Sequence, residues 1–158
     1  MKQTLVIGLG NPILGDDGVG WKVAEALKLA IGEHTSVEVD CLAVGGLGLM
    51  ERMLDHHRVI LIDSMETGRH PVGSVTTFLL SDLSDPTIGH SASSHDTSLM
   101  TALETARTLG ADVPRQVEVI AIEIRNTRDF SDRLSPAVEQ AIPAAMQAVL
   151  GLLEDEIH

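Results

Sequence analysis

The chain has 158 residues, of which 44% are hydrophobic, and its 11 Lys and Arg against 23 Asp and Glu residues give a formal net charge of −12. This charge repels phosphate backbones, and one Trp and two Phe residues leave little aromatic surface on which bases could stack, so we expect no nucleic-acid partner. One cysteine cannot form an internal disulfide, and no signal peptide or run of ~18 apolar residues is recognisable, so we expect a cytoplasmic protein with no membrane partner.

The first part of the chain alternates short apolar runs with amphipathic segments. Residues 5–8 are nearly all apolar and end in glycine, which is typical of a strand buried on both faces. Residues 19–31 carry apolar side chains at three- and four-residue steps, which predicts a helix. Residues 37–41 predict a strand and residues 47–54 a short helix. Residues 58–63 form the clearest buried strand, which we expect at the centre of the sheet.

The second part continues the alternation. Residues 74–80 predict a strand, and a polar loop follows at 81–94 that is long for a compact domain. A helix is predicted over 94–109, where the serine at its start could act as a cap. Residues 117–124 predict the last strand and residues 136–154 the last helix.

This alternation predicts the fold class. Strands separated by helices, without a linker or an internal repeat, indicate a single α/β domain over residues 1–158. We expect a three-layer sandwich in which a mostly parallel, twisted sheet of about five strands carries helices on both faces. Ligands of such sheets bind where the loops leave the carboxyl ends of the strands.

The glycine-rich stretch at residues 8–20 is the first candidate site. A dinucleotide-binding fingerprint would need a third glycine where Ile13 stands, and Pro12 lacks a backbone N–H for a pyrophosphate. The Lys and Ser or Thr of a phosphate-binding loop are replaced by Asp16 and Asp17, whose charge would repel phosphate. These two carboxylates could therefore be functional, or one of them could cap the following helix.

Asp63 and His95 are the other candidates. Asp63 closes the predicted central strand, so it should lie beside the loop that carries Asp17, because both leave the same edge of a parallel sheet. His95 lies in the first turn of a predicted helix, where the helix dipole disfavours imidazolium and favours a neutral, metal-competent ring. Asp63 could instead be a cap or a solvated loop end, and His95 a structural histidine. A functional role requires the sites to converge.

Other chemistries fit less well. The sequence has no His-Glu-x-x-His motif, no Gly-x-Ser-x-Gly elbow and no paired-cysteine zinc spacing. Cys41 closes a predicted strand and is expected to be a small buried apolar residue. His56 and His57 precede the central strand, at the opposite end of the sheet from the candidate site, and are expected on the surface.

The order and spacing of residues 10–20, Asp63 and the pair Ser94-His95 resemble the hydrogenase maturation endopeptidases over nearly the whole chain. This resemblance implies an enzyme that removes a short C-terminal extension from the large-subunit precursor of a nickel-iron hydrogenase after nickel insertion. It also implies that Asp17, Asp63 and His95 contact the metal and form the catalytic site, with Asp16 as the neighbouring alternative to Asp17. The hydrogenase precursor is then the partner, and we expect the enzyme to act as a monomer.

The implied ligands are two carboxylates and one imidazole, which can bind nickel, zinc or cadmium while leaving coordination positions open. The nickel would be presented by the substrate and would serve as a recognition element. The attacking water would be either metal-bound or activated by a carboxylate. Many family members have an Asp-Gly-Gly segment after the second strand where this chain has Val44-Gly45-Gly46, so Asp40 or Glu51 would have to supply that carboxylate if it is needed.

Two other functions remain open at this point. The opening Gly8-Leu9-Gly10-Asn11-Pro12 also resembles the peptidyl-tRNA hydrolases, but the tyrosine and the Arg-His-Asn segment of those enzymes are absent. A non-catalytic, metal-dependent module that docks on the hydrogenase precursor would use the same carboxylates. Release of a C-terminal peptide from the precursor separates a protease from a docking module.

Overall fold

The computed structural model describes residues 3–33, 36–84, 94–125 and 129–157, and the side chains of residues 94–98 lie outside that description. Its strands are β1 (Thr4–Leu9), β2 (Val37–Leu42), β3 (Arg58–Met65), β4 (Val75–Leu79) and β5 (Gln116–Glu123). Its α-helices are α1 (Val19–Ile31), α2 (Gly46–Met53), α3 (Ser94–Thr108), α4 (Pro136–Glu139) and α5 (Ile142–Leu152), and 3₁₀ turns cover Gly15–Gly18 and Leu80–Ser84.

The strands form one sheet in the order β2-β1-β3-β5-β4. All neighbouring strands pair in parallel except β4, which runs antiparallel to β5 at the edge. The predicted central position of β3 is confirmed, and its residues 59–65 are buried because helices cover both faces of the sheet. The predicted mostly parallel α/β sheet is likewise confirmed.

Two apolar clusters hold the helices to the sheet. One face buries α2 and α3 against alternate strand residues such as Leu61 and Met65. The other face buries α1, α4 and α5 against the residues between them, such as Ile60 and Ile62. This division follows from the two-residue period of a strand, which sends successive side chains to opposite faces.

Two predicted elements differ from the structure by more than one residue at a boundary. Strand β3 does not end at Asp63 but continues to Met65, because Ser64 and Met65 still pair with β5. The predicted helix over 136–154 is divided into α4 and α5, since Pro143 has no N–H to donate to the carbonyl of residue 139.

Most of the predicted polar loop, residues 85–93, lies outside the described residues. Among the helices that are described, none combines the length and apolar character of a membrane span.

Helix α1 rests directly on the backbone of the sheet. A Cβ atom added to Gly20, in the first turn of α1, would lie 2.4 Å from the carbonyl oxygens of both Leu9 and Ile62. No side chain fits at such distances, so the close approach of helix and sheet requires glycine here. This contact fixes the start of α1 over the ends of β1 and β3.

We predict that Gly20→Ala lowers the free energy of unfolding by about 2–3 kcal/mol, because the new methyl group must push α1 away from two strands. Gly151 is the control, since it lies in α5 with nothing within 4 Å of an added Cβ. Gly151→Ala should raise the free energy of unfolding by about 0.5 kcal/mol through helix propensity. Urea denaturation measures both, and equal effects of the two substitutions would contradict the proposed contact.

Candidate active site

The loop between β1 and α1 carries two adjacent aspartates at the carboxyl edge of the sheet. Gly10 has φ of 137°, and a Cβ on it would lie 2.0 Å from the carbonyl oxygen of Asp17. The chain therefore folds back tightly from β1 before the 3₁₀ turn Gly15–Gly18 leads into α1. Both aspartates are half-buried in this turn, and they point to different parts of the molecule.

Asp17 faces the end of β3. Its Oδ2 accepts a hydrogen bond of 2.8 Å from the N–H of Asn11, and its Oδ1 accepts one of 3.1 Å from the hydroxyl of Ser64. Each oxygen of the carboxylate thus has a donor, one from its own loop and one from the central strand. The predicted juxtaposition of the first loop with the end of the central strand is confirmed by this contact.

Asp63 lies next to this contact and is only 5% exposed. Its Oδ1 accepts a hydrogen bond of 2.8 Å from the N–H of Ser64. Along β3, Asp63 alternates with the residues that face α1, so it lies on the sheet face that α2 and α3 cover. Ser64 therefore binds both carboxylates, Asp17 through its hydroxyl group and Asp63 through its backbone N–H.

Asp16 has a different set of partners. Its carboxylate accepts hydrogen bonds from the N–H and the hydroxyl of Ser135, at 2.7 and 2.8 Å, and Ser135 is the N-cap residue of α4. Neither Asp16 nor Asp17 caps its own helix, since the N-cap positions there are Leu14 and Gly18. The capping alternative is thus wrong for α1, while Asp16 fastens a distant helix to this loop.

Helix α3 begins at Ser94, as predicted, so His95 occupies its first turn. The side chain of His95 lies outside the described residues. In the part of the chain whose side chains are described, no group of three or more His, Cys, Asp and Glu side chains is arranged to hold a metal ion. The predicted three-residue set therefore stays a prediction, with its two carboxylates at one edge of the sheet.

A buried glutamate that the sequence analysis did not single out shapes the same edge. Glu123 ends β5, is 5% exposed, and accepts hydrogen bonds from the N–H groups of Thr67 and Gly68 and from the Thr67 hydroxyl. It thereby holds the loop that follows β3. Its signal in the sequence was a carboxylate at the end of an apolar strand, the same signal that identified Asp63.

Asp40 and Glu51 are the candidates to replace the carboxylate of the Asp-Gly-Gly segment that this chain lacks. Asp40 accepts a hydrogen bond of 3.0 Å from Arg52, and Glu51 is exposed on α2. Arg52 also binds Glu38 at 3.0 Å, and this hydrogen bond holds the pKa of Glu38 below its usual range. Asp40 thus takes part in an ion-pair cluster that joins β2 to α2.

Cys41 lies near the carboxyl end of β2, opposite Gly8 of β1, whereas His56 and His57 precede β3 at the other edge of the sheet. Cys41 is half-buried, with its Sγ 3.9 Å from the carbonyl oxygen of Trp21, and burial raises its pKa to about 11. His57 is exposed, as predicted. The surface prediction is wrong for His56, whose side chain is only 12% exposed because it lies between Glu38 of β2, at 3.4 Å, and the carbonyl oxygen of Leu54, at 3.0 Å.

Comparisons with known proteins support one family. A family model described as hydrogenase maturation protease matches residues 21–152. The chain is similar to the hydrogenase expression/formation protein HupD of Rhizobium leguminosarum bv. viciae, at 26% identity over 96% of this chain and 74% of that protein. It is similar to hydrogenase 2 maturation protease of Escherichia coli (strain K12), at 26% identity over 97% of this chain and 92% of that one. The solved hydrogenase maturating endopeptidase HybD of E. coli superposes with a TM-score of 0.74, at 25% identity over 97% of this chain and 93% of that chain.

We predict that Asp16 and Ser135 contribute to stability as one unit. Asp16→Ala should lower the free energy of unfolding by about 2 kcal/mol, because two hydrogen bonds to a carboxylate are lost. Ser135→Ala removes only the hydroxyl bond and should cost about 1 kcal/mol. The double variant should be no less stable than Asp16→Ala alone, as measured by urea denaturation, whereas additive losses would show that the pair is not coupled.

We predict that Cys41 is a thiol at neutral pH and reacts slowly with disulfide reagents. With a pKa of about 11, its thiolate fraction at pH 8 is far below that of an unperturbed cysteine, whose pKa is about 8.5. The reaction of the native protein with Ellman's reagent at pH 8 should be at least about tenfold slower than that of the urea-unfolded protein. Equal rates would contradict the burial that raises this pKa.

Proposed function

Because the chain belongs to the hydrogenase maturation protease family and is therefore a peptidase, we propose that it removes the C-terminal extension of a nickel-iron hydrogenase large-subunit precursor once nickel has been inserted. Asp17, Asp63 and His95 form the site that recognises the substrate's nickel. The observation that carries this proposal is that Ser64, at the carboxyl edge of the sheet, donates hydrogen bonds to the carboxylates of both Asp17 and Asp63.

The carboxylate of Asp17 retains the capacity to bind a cation. Each of its oxygens accepts one hydrogen bond from the protein, and a carboxylate oxygen can accept two. Asp63 is buried at the same edge, and His95 lies in the first turn of α3. Two oxygen donors and one imidazole nitrogen suit nickel and would also accept zinc or cadmium.

Charge explains how such a site would favour the loaded precursor. Asp17 and Asp63 both accept hydrogen bonds from Ser64, so two carboxylate ligands lie at one edge of the sheet. Nickel that arrives already bound to the precursor's cysteine thiolates would gain these ligands. A precursor without nickel offers no cation, so it would bind more weakly and would not be cut.

Hydrolysis then needs a water molecule directed at the scissile carbonyl group. Asp63 could accept a proton from this water, or the water could be held on the substrate's nickel while Asp63 serves as a ligand. The variant Asp63→Asn separates these roles. Normal binding of nickel-loaded precursor without cleavage indicates proton transfer by Asp63, and loss of binding indicates a ligand.

The family assignment does not support the two alternative functions that the sequence left open. The family model and the E. coli relative are named hydrogenase maturation protease, which favours neither a peptidyl-tRNA hydrolase nor a non-catalytic docking module. The monomeric state and the cytoplasmic location stay predictions.

We predict that the protein releases a C-terminal peptide from nickel-loaded precursor and leaves nickel-free precursor intact, as measured by intact mass spectrometry. His95→Ala and Asp17→Asn should each lower the rate at least about a hundredfold, because each removes a contact to the substrate's nickel. His57→Ala is the control for the histidine, since His57 is exposed at the opposite edge of the sheet. Asp16→Asn is the control for the neighbouring aspartate and should lower the rate by less than about tenfold.

The outcomes separate the parts of the proposal. Cleavage regardless of nickel would overturn the nickel-recognition role while leaving the protease activity intact. Full activity of His95→Ala would remove His95 from the site. A larger effect of Asp16→Asn than of Asp17→Asn would exchange the roles given to the two aspartates.

A further inference from the structure

Ser64 is a polar residue on an otherwise apolar face of the central strand. The preceding residues of that face, Ile60 and Ile62, pack against α1 and α5, and Ser64 continues the same alternation. Ser64 is only 8% exposed, so its hydroxyl group needs a partner within the protein. The start of α1 and the 3₁₀ turn lie over this end of the strand, and the partner is the carboxylate of Asp17.

Ser64 binds both candidate carboxylates with different atoms. Its hydroxyl donates to Asp17 Oδ1 at 3.1 Å, and its backbone N–H donates to Asp63 Oδ1 at 2.8 Å. The backbone donor is fixed by the pairing of β3 with β5, in which Ser64 lies opposite Ile122. Both carboxylates are therefore held by the central strand of the sheet.

We infer that Ser64 is a positioning residue that sets the orientation of Asp17 relative to Asp63, an inference that rests on the proposed function. The terminal torsion of an aspartate is broad, so one hydrogen bond leaves the carboxylate free to rotate about its axis. Asn11 holds one oxygen of Asp17, and Ser64 holds the other. Together they fix the plane of the carboxylate before the substrate arrives, which avoids an ordering cost during binding.

The test compares Ser64→Ala with Ser64→Thr and with a matched control, Thr4→Val. Thr4 is 2% exposed in β1 and donates its hydroxyl to a carboxylate, Glu156, at 2.8 Å. It therefore offers the same kind of buried hydrogen bond at the opposite edge of the sheet. Urea denaturation of all the variants shows how much each bond contributes to stability, independently of activity.

Ser64→Ala should lower kcat/KM for nickel-loaded precursor by about ten- to a hundredfold, the usual effect of removing a residue that orients a metal ligand. Ser64→Thr keeps the hydroxyl and should restore most of this loss. Thr4→Val should lose comparable stability without a loss in kcat/KM. A purely structural role predicts instead that Ser64→Ala and Thr4→Val have the same activity, and that result would overturn the inference.

A second measurement separates failure of the inference from failure of the proposed function. Isothermal titration calorimetry of the full chain with Ni²⁺, and with Cd²⁺, should give an affinity about tenfold lower for Ser64→Ala than for the wild type. Equal affinities of the two proteins together with equal cleavage rates overturn the role of Ser64 alone. A wild-type protein that neither cleaves the precursor nor binds either ion overturns the proposed function and the inference together.

Discussion

The contact of α1 with the backbone of β1 and β3 is the constraint on which the carboxyl edge of the sheet depends. Because Gly20 has no side chain, the backbone of α1 packs directly against the backbone of both strands. With the start of α1 fixed there, the preceding 3₁₀ turn has little freedom, and Asp17 is carried over the end of β3. A larger residue at this point would raise the helix and break the hydrogen bond between Asp17 and Ser64.

The carboxylates at this edge divide into two kinds according to their partners. Asp16 binds the N-cap residue of α4, and Glu123 binds the loop after β3, so each fastens one segment of chain with both of its oxygens. Asp17 instead receives single hydrogen bonds from two separate segments, and it shares Ser64 with Asp63. Two carboxylates that bind one serine at the ends of the strands suit a site that takes up a cation. The proposed nickel-dependent recognition uses this property.

At the opposite edge of the sheet, where the strands begin, an arginine pairs with the acidic residues. There Arg58 forms a paired contact with the buried Glu118, at 3.0 Å for each bond, and also lies 3.6 Å from Glu156. The arginine compensates carboxylates that would otherwise be costly to bury. Arg58, Glu118 and Glu156 thus form a structural ion-pair group at the start of the strands, and the candidate site lies at their ends.

The sequence by itself determined the fold class, the central position of β3 and the candidates Asp16, Asp17, Asp63 and His95, because apolar periodicity and the positions of polar residues at strand ends are local properties of the chain. Family resemblance supplied the choice of Asp17 over Asp16, which local pattern left open. Only the tertiary structure gave each aspartate its partner, since Asp17 meets Ser64 across 47 residues and Asp16 meets Ser135 across 119. Ser64 and Ser135 carried no local signal, because a serine acquires a positioning role only when packing brings a distant carboxylate within hydrogen-bonding distance.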